Sequence, residues 1–155
     1  MTTALCPGSF DPPTNGHADI IARVIKSFDR VVISVIDNPS KRAMFSVSER
    51  IGLLKDLYSD TVEITSFGGL LVDHVREVDA DVVVKGLRTV DDYEYETQMA
   101  QMNRHITGME TLFIPTHPEF AFISSSLVKE VARLGGSMSG LVPDVVEKAL
   151  KERLT

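Results

Sequence analysis

The chain has 155 residues, 43% hydrophobic and 25% charged, which excludes disordered, fibrous and disulfide-stapled classes and suits one core in one domain over residues 1–155. Sixteen Lys and Arg against 22 Asp and Glu give a formal charge of -6, which argues against nucleic-acid or anionic-lipid partners but permits a local basic cleft for a small anion. The single cysteine, Cys6, allows no intrachain bridge, and Pro7, Pro12 and Pro13 interrupt the region before the first basic residue, Arg23. A cytoplasmic location without a signal peptide is expected, and no apolar run approaches the ~20 residues of a membrane span.

In chain order, Thr3 to Cys6 reads as a weak first strand, followed by the Gly/Pro-rich turn Pro7 to His17 and a helix with Ile20, Val24 and Phe28 on one face. Val31 to Ile36 is the second strand, followed by Asn38-Pro39-Ser40-Lys41-Arg42. Val47, Ile51, Leu54 and Tyr58 mark the second helix, with Ser46 and Glu49 at capping-box spacing. Thr61 to Thr65 is the third strand and Leu71, Val75 and Val78 the third helix. Asp81 to Val84 is the fourth strand, running into Lys85-Gly86-Leu87-Arg88. Met99, Met102 and Ile106 define the fourth helix, the methionines reading as core fillers before interface residues. Thr111 to Ile114 is the last strand. Leu127, Val131 and Leu134 outline a fifth helix ended by Gly135-Gly136, and the sixth runs from Asp144 to Leu154, preceded by Pro143, with Val146, Leu150 and Leu154 inward and Glu147 paired with Lys151.

The strand runs lack polar alternation, so they predict strands buried on both faces: an α/β, Rossmann-like central parallel sheet flanked by helices, with ligands beyond the carboxyl strand ends. Four loops at that edge carry phosphate-compatible groups. The Gly8 to His17 turn opens a helix N-terminus, where unpaired N–H groups favour anions, although Gly16-His17 alone fits an ordinary turn equally well. Lys41 and Arg42 add cations. Lys85 is a point charge and Arg88 a planar donor fork beside Gly86, unless Asp91, Asp92 and Glu94 merely balance them. Phe120-Ala121-Phe122-Ile123-Ser124-Ser125-Ser126 places three hydroxyls at one helix start, where a cap needs one. No P-loop or G-x-G-x-x-G fingerprint occurs. Neither C-x-x-C nor H-E-x-x-H is present, and His74, His105 and His117 are scattered, so any metal is expected to arrive with a nucleotide.

Ser9-Phe10-Asp11-Pro12 with Thr14-Asn15-Gly16-His17 resembles the T/H-x-G-H signature of the nucleotidyltransferase superfamily, and Ile123-Ser124-Ser125-Ser126 resembles its second signature. With Lys85-Gly86-Leu87-Arg88, Asp92 to Glu96 and Met99 to Asn103, essentially the whole chain resembles the bacterial phosphopantetheine adenylyltransferases. That resemblance implies reversible transfer of AMP from ATP, with Mg2+, to 4'-phosphopantetheine, giving dephospho-coenzyme A and pyrophosphate. It also implies a homohexamer and inhibition by coenzyme A. Carried over, Ser9, Phe10, His17, Gly86, Leu87, Arg88, Glu96 and Phe120, Ala121, Phe122, Ile123, Ser124, Ser125 and Ser126 contact ATP. Ser9, Lys41, Leu71 and Lys85 contact the acceptor, while His17, Lys41 and Arg88 carry catalysis. Family members often have arginine at the position of Lys85 and an aromatic residue at that of Cys6. Other adenylyl- or cytidylyltransferases share T-x-G-H, and a non-catalytic nucleotide-binding module would share the fold.

Overall fold

The β-branched runs pair as five parallel strands in a computed structural model that describes residues 1–155: β1 (Thr3–Gly8), β2 (Arg30–Ile36), β3 (Glu63–Phe67), β4 (Val82–Leu87) and β5 (Thr111–Pro115). Their order is β3-β2-β1-β4-β5. The chain therefore winds outward from β1 in one direction and, after β3, returns to the other side of β1. That reversal opens a crevice at the carboxyl strand ends.

Six helices cover the sheet: α1 (Asn15–Ile25), α2 (Val47–Tyr58), α3 (Leu71–Glu77), α4 (Val90–Thr107), α5 (Ser125–Arg133) and α6 (Asp144–Leu154). Side chains alternate across the central strands as their pleat requires. Ala4, Cys6, Ile33 and Val35 join Val24 of α1 and Leu54 of α2 on one face. Leu5, Val32 and Val83 meet Val75 and Val78 on the other. A separate cluster of Phe45, Ile123, Val128, Val146 and Leu150 seats α5 and α6 beside α2. The predicted capping box of α2 is formed, with the Ser46 amide donating to Glu49 at 2.8 Å and the Glu49 amide to Ser46 Oγ at 3.2 Å.

Several local expectations differ from the structure. α1 ends at Ile25, short of Phe28, and β3 starts at Glu63 because Ser59–Thr61 form a 3-10 turn. β4 runs through Lys85, Gly86 and Leu87 to pair with Phe113, Ile114 and Pro115, so these residues form a strand end rather than a loop. On α5 the buried residues are Val128 and Ala132, while Leu134 is 81% exposed. The Met138 to Leu150 segment folds against α5 and selects that face, a partner invisible in the periodicity of α5 alone. Leu154 lies outside the α6 core. The stripe on α4 is not core: Met102 and Ile106 are 56% and 51% exposed, because Asn103 is the helix's only buried residue.

Candidate active site

The β1–α1 loop gives the T-x-G-H spacing a physical reason. Thr14 is the N-cap of α1: its Oγ1 accepts from the His17 amide at 3.3 Å, and its own amide donates to His17 Nδ1 at 3.0 Å. This is a capping box with histidine at the third helical position, so the pair must stand three residues apart. Because Nδ1 accepts a main-chain N–H, the neutral ring carries its proton on Nε2. Burial, followed by the nearby Arg88 charge, pushes the His17 pKa down to about 4. His17 is thus a neutral imidazole near pH 7, with Nε2–H as its donor. Phe10 lies against this ring, centroids 5.0 Å apart, and adopts a left-handed φ of 47°, the kind of backbone strain that gathers at functional sites.

Asp11 ties this loop to its neighbours. Its buried carboxylate accepts from the Met44 and Phe45 amides at 2.9 and 2.8 Å and from Lys129 Nζ at 3.0 Å. Burial alone would raise its pKa, but these donors together outweigh it and hold the carboxyl below its ordinary value.

Across the crevice, each cation has an acidic partner on α4. Lys85 Nζ lies 2.5 Å from Glu96 Oε2, and Arg88 Nε 3.3 Å from Asp92 Oδ2. Arg88 also donates to the Ile123 carbonyl at 3.2 Å, linking β4 to the α5 loop. Lys41 takes part in no ion pair. Gly86 is needed for a different contact from the expected phosphate approach: a Cβ there would lie 2.8 Å from Ile20 Cγ1, so its absence lets α1 close on β4.

The three serines divide their work. Ser124 Oγ caps α5 by accepting from the Leu127 amide at 3.1 Å, and Ser125 Oγ donates to the Pro12 carbonyl at 2.8 Å. Both hydroxyls thus have partners within the chain while lying at the cleft edge, and the first-turn amides of α5 lack intrahelical acceptors.

These elements enclose a cleft of about 520 Å³ lined by Ser9, Phe10, His17, Lys41, Leu71, Lys85, Gly86, Arg88, Glu96, Ile123, Ser124 and Ser125 among others. Of the residues singled out in the sequence, Leu87, Phe120, Ala121, Phe122 and Ser126 lie outside its lining. Leu87 follows Gly86 on the pleat, and Phe122 is 62% exposed. Thr14 stands in the T-x-G-H motif read from the sequence, but its role as the cap that orients His17 appears only in the structure. Sequence reasoning did not place the apolar wall of Phe67, Leu70, Tyr95 and Met99 in the site, although Tyr95 and Met99 stand in segments that carry the family resemblance. Phe67 is held from behind by His74, stacked at 4.5 Å, and His74 Nε2 bonds Ser34 Oγ at 2.9 Å. Cys6 closes the floor, where burial pushes its thiol pKa up to about 12.

A parallel sheet with an anion cleft at its switch point and a histidine donor at the first helix start defines a nucleotidyltransferase. Residues 5–131 match the cytidylyltransferase-like family, and the chain belongs to it. Within that class its relatives are phosphopantetheine adenylyltransferases. The chain is 53% identical to the one from Frankia casuarinae, over 99% of both proteins, and 52% identical to that from Streptomyces coelicolor, over 99% of this chain and 98% of the relative. A solved structure from Vibrio parahaemolyticus, described as a nicotinate-nucleotide adenylyltransferase, has a TM-score of 0.71 at 20% identity and covers 99% of this chain and 95% of its own. A lipopolysaccharide core biosynthesis protein from Thermoplasma volcanium has a TM-score of 0.56 at 21% identity, covering 76% of this chain and 97% of its own. These two likenesses show the shared fold.

Proposed function

We propose that this enzyme transfers AMP reversibly from ATP to 4'-phosphopantetheine, forming dephospho-coenzyme A and pyrophosphate, the penultimate step of coenzyme A biosynthesis. The observation that carries this reading is the neutral His17 donor in a cleft bordered by Lys41, Lys85 and Arg88, in a chain 53% identical to a phosphopantetheine adenylyltransferase. The apolar wall of Phe67, Leu70, Leu71, Tyr95 and Met99 suits the uncharged arm of that acceptor.

An acceptor phosphate oxygen attacks the α-phosphorus of ATP. As that P–O bond forms, the bond from the α-phosphorus to the bridging oxygen breaks, and pyrophosphate leaves with the electron pair. The acceptor is already anionic, so no side-chain nucleophile is needed; the protein aligns two anions and stabilises spreading charge. His17 Nε2–H donates to a non-bridging oxygen. Ser9, Lys41 and Lys85 hold the acceptor phosphate. Arg88 and the α5 amides take the triphosphate, and Glu96 governs how freely Lys85 can act. Magnesium would be carried in with ATP, bound chiefly by its phosphates and by water.

Incubation with ATP, Mg2+ and 4'-phosphopantetheine should release pyrophosphate and yield dephospho-coenzyme A by mass spectrometry. Product formed only from another acceptor, or only with CTP, would overturn the assignment. Coenzyme A shares the adenylate and pantetheine parts of the product and competes for the same cleft. The exposed α4 stripe of Val90, Tyr93, Met102 and Ile106 supports assembly as a homohexamer, which light scattering would read as six chain masses. The single buried cysteine suits the cytoplasm, and no helix is long and apolar enough to cross a membrane.

A further inference from the structure

Behind the Ser9 and Lys41 end of the cleft lies a buried arginine that the proposed chemistry leaves unused. Arg50, on α2, is 4% exposed. Its Nη1 donates to the Ser9 carbonyl at 2.8 Å and the Ile36 carbonyl at 3.1 Å, and its Nε to the Phe45 and Ser46 carbonyls at 3.0 and 3.3 Å. All these acceptors are main-chain oxygens. None of the chain's ion pairs includes it. A buried guanidinium without a carboxylate is uncommon, because burial of a charge is ordinarily offset by an opposite one.

The acceptors explain its place. Ser9 belongs to the β1–α1 loop, Ile36 ends β2, and Phe45 and Ser46 close the segment that carries Lys41. Asp11 grips that segment from the other side, taking the Met44 and Phe45 amides while Arg50 takes the Phe45 and Ser46 carbonyls. One planar fork therefore joins the pieces of chain that bear Ser9 and Lys41. A lysine, with a single point of charge, cannot span them in the same way.

We propose that Arg50 is a positioning residue for the acceptor's phosphate: it fixes Ser9 relative to Lys41 and leaves an uncancelled positive charge behind that end of the cleft, which the incoming phosphate answers. The inference rests on the proposed acceptor. Its particular consequence is that Arg50 matters for the phosphate of the acceptor and not for its pantetheine arm.

The test compares binding of 4'-phosphopantetheine and unphosphorylated pantetheine, by calorimetry, to wild type, Arg50→Met and Arg50→Lys, alongside the KM for each substrate. Wild type should prefer the phosphorylated ligand. Arg50→Met should weaken it about 10- to 100-fold, the range for losing a group that orients binding residues from behind. Pantetheine affinity should change little, and Arg50→Lys should recover part of the loss. Equal weakening of both ligands would mark Arg50 as structural only, and unchanged phosphopantetheine affinity in folded Arg50→Met would remove it from the subsite; either overturns the proposal. If Arg50→Met does not fold, the ratio of the two affinities in Arg50→Lys decides in the same way. A wild type that neither prefers nor turns over 4'-phosphopantetheine would instead defeat the acceptor assignment before any variant is made.

Discussion

The two walls of the cleft are held by different physics. On the β1–β2 side, Thr14, Asp11 and Arg50 are buried and bonded mainly to backbone, which fixes the Ser9 to His17 loop and the Met44 to Ser46 end of the segment that carries Lys41. On the β4 side, Lys85 and Arg88 are held side chain to side chain by Glu96 and Asp92 in partly buried ion pairs. Each carboxylate in these pairs still meets solvent, so an incoming phosphate can compete with it for the cation. One wall is thus preset, and the other holds its cations ready to trade a carboxylate for a phosphate.

Breaking the preset wall should have the largest effects. Asp11→Ala strands Lys129 and two amides, so denaturant unfolding should show a loss of roughly 3–5 kcal/mol, as for other buried pairs deprived of one partner. A loss below 1 kcal/mol would show the carboxylate to be dispensable. His17→Ala removes a donor aimed at developing charge; kcat should fall about 10²- to 10³-fold while ATP binding by calorimetry persists. Near-normal turnover would remove His17 from the reaction.

The same wall predicts a pH signature. His17 is neutral in the fold down to about pH 4, whereas the unfolded chain takes up that proton below about pH 6.5. Its contribution is therefore complete above pH 6.5, declines as pH falls to about 4 and then levels off, amounting to roughly 3 kcal/mol. On going from pH 6.5 to 4, thermal melts should show wild type losing stability relative to His17→Gln by about that amount. Asp11 has a lowered pKa, so its stabilisation is lost only at still lower pH, when the folded carboxyl is protonated.

The exchangeable wall should respond more gently. Glu96→Gln removes the competitor for Lys85, and the KM for 4'-phosphopantetheine should fall about two- to fivefold with stability nearly unchanged, in line with a partly exposed pair. A rise in that KM would show that Glu96 itself binds substrate.

Much of this molecule is legible in its sequence, for reasons its residues make plain. Val31 to Ile36 announces a buried strand because both its faces are covered, and Pro143 with Glu147 and Lys151 marks α6 because the signals are local. The cations gathered at one sheet edge follow from strand direction alone. The rest is set at a distance. Val128 becomes core only because α6 lies against it, and that Met102 and Ile106 stand on an uncovered face of α4 cannot be read from their spacing. That Ser125 also ties α5 to the Pro12 carbonyl is likewise visible only in the fold. Arg50 reads as one more charge on a surface helix until four carbonyls from separate segments converge on it.

Cys6 has a practical consequence. With its pKa near 12, only about one thiol in 10⁵ is thiolate at neutral pH, against a few per cent for a free cysteine. Maleimide and iodoacetamide, which react with thiolate, should pass over it. As Cys6 is the chain's only cysteine, a fluorophore or spin label attached through a cysteine introduced on α4 would report from one place alone, and the relation between the two walls could be followed while the native floor of the cleft stays intact.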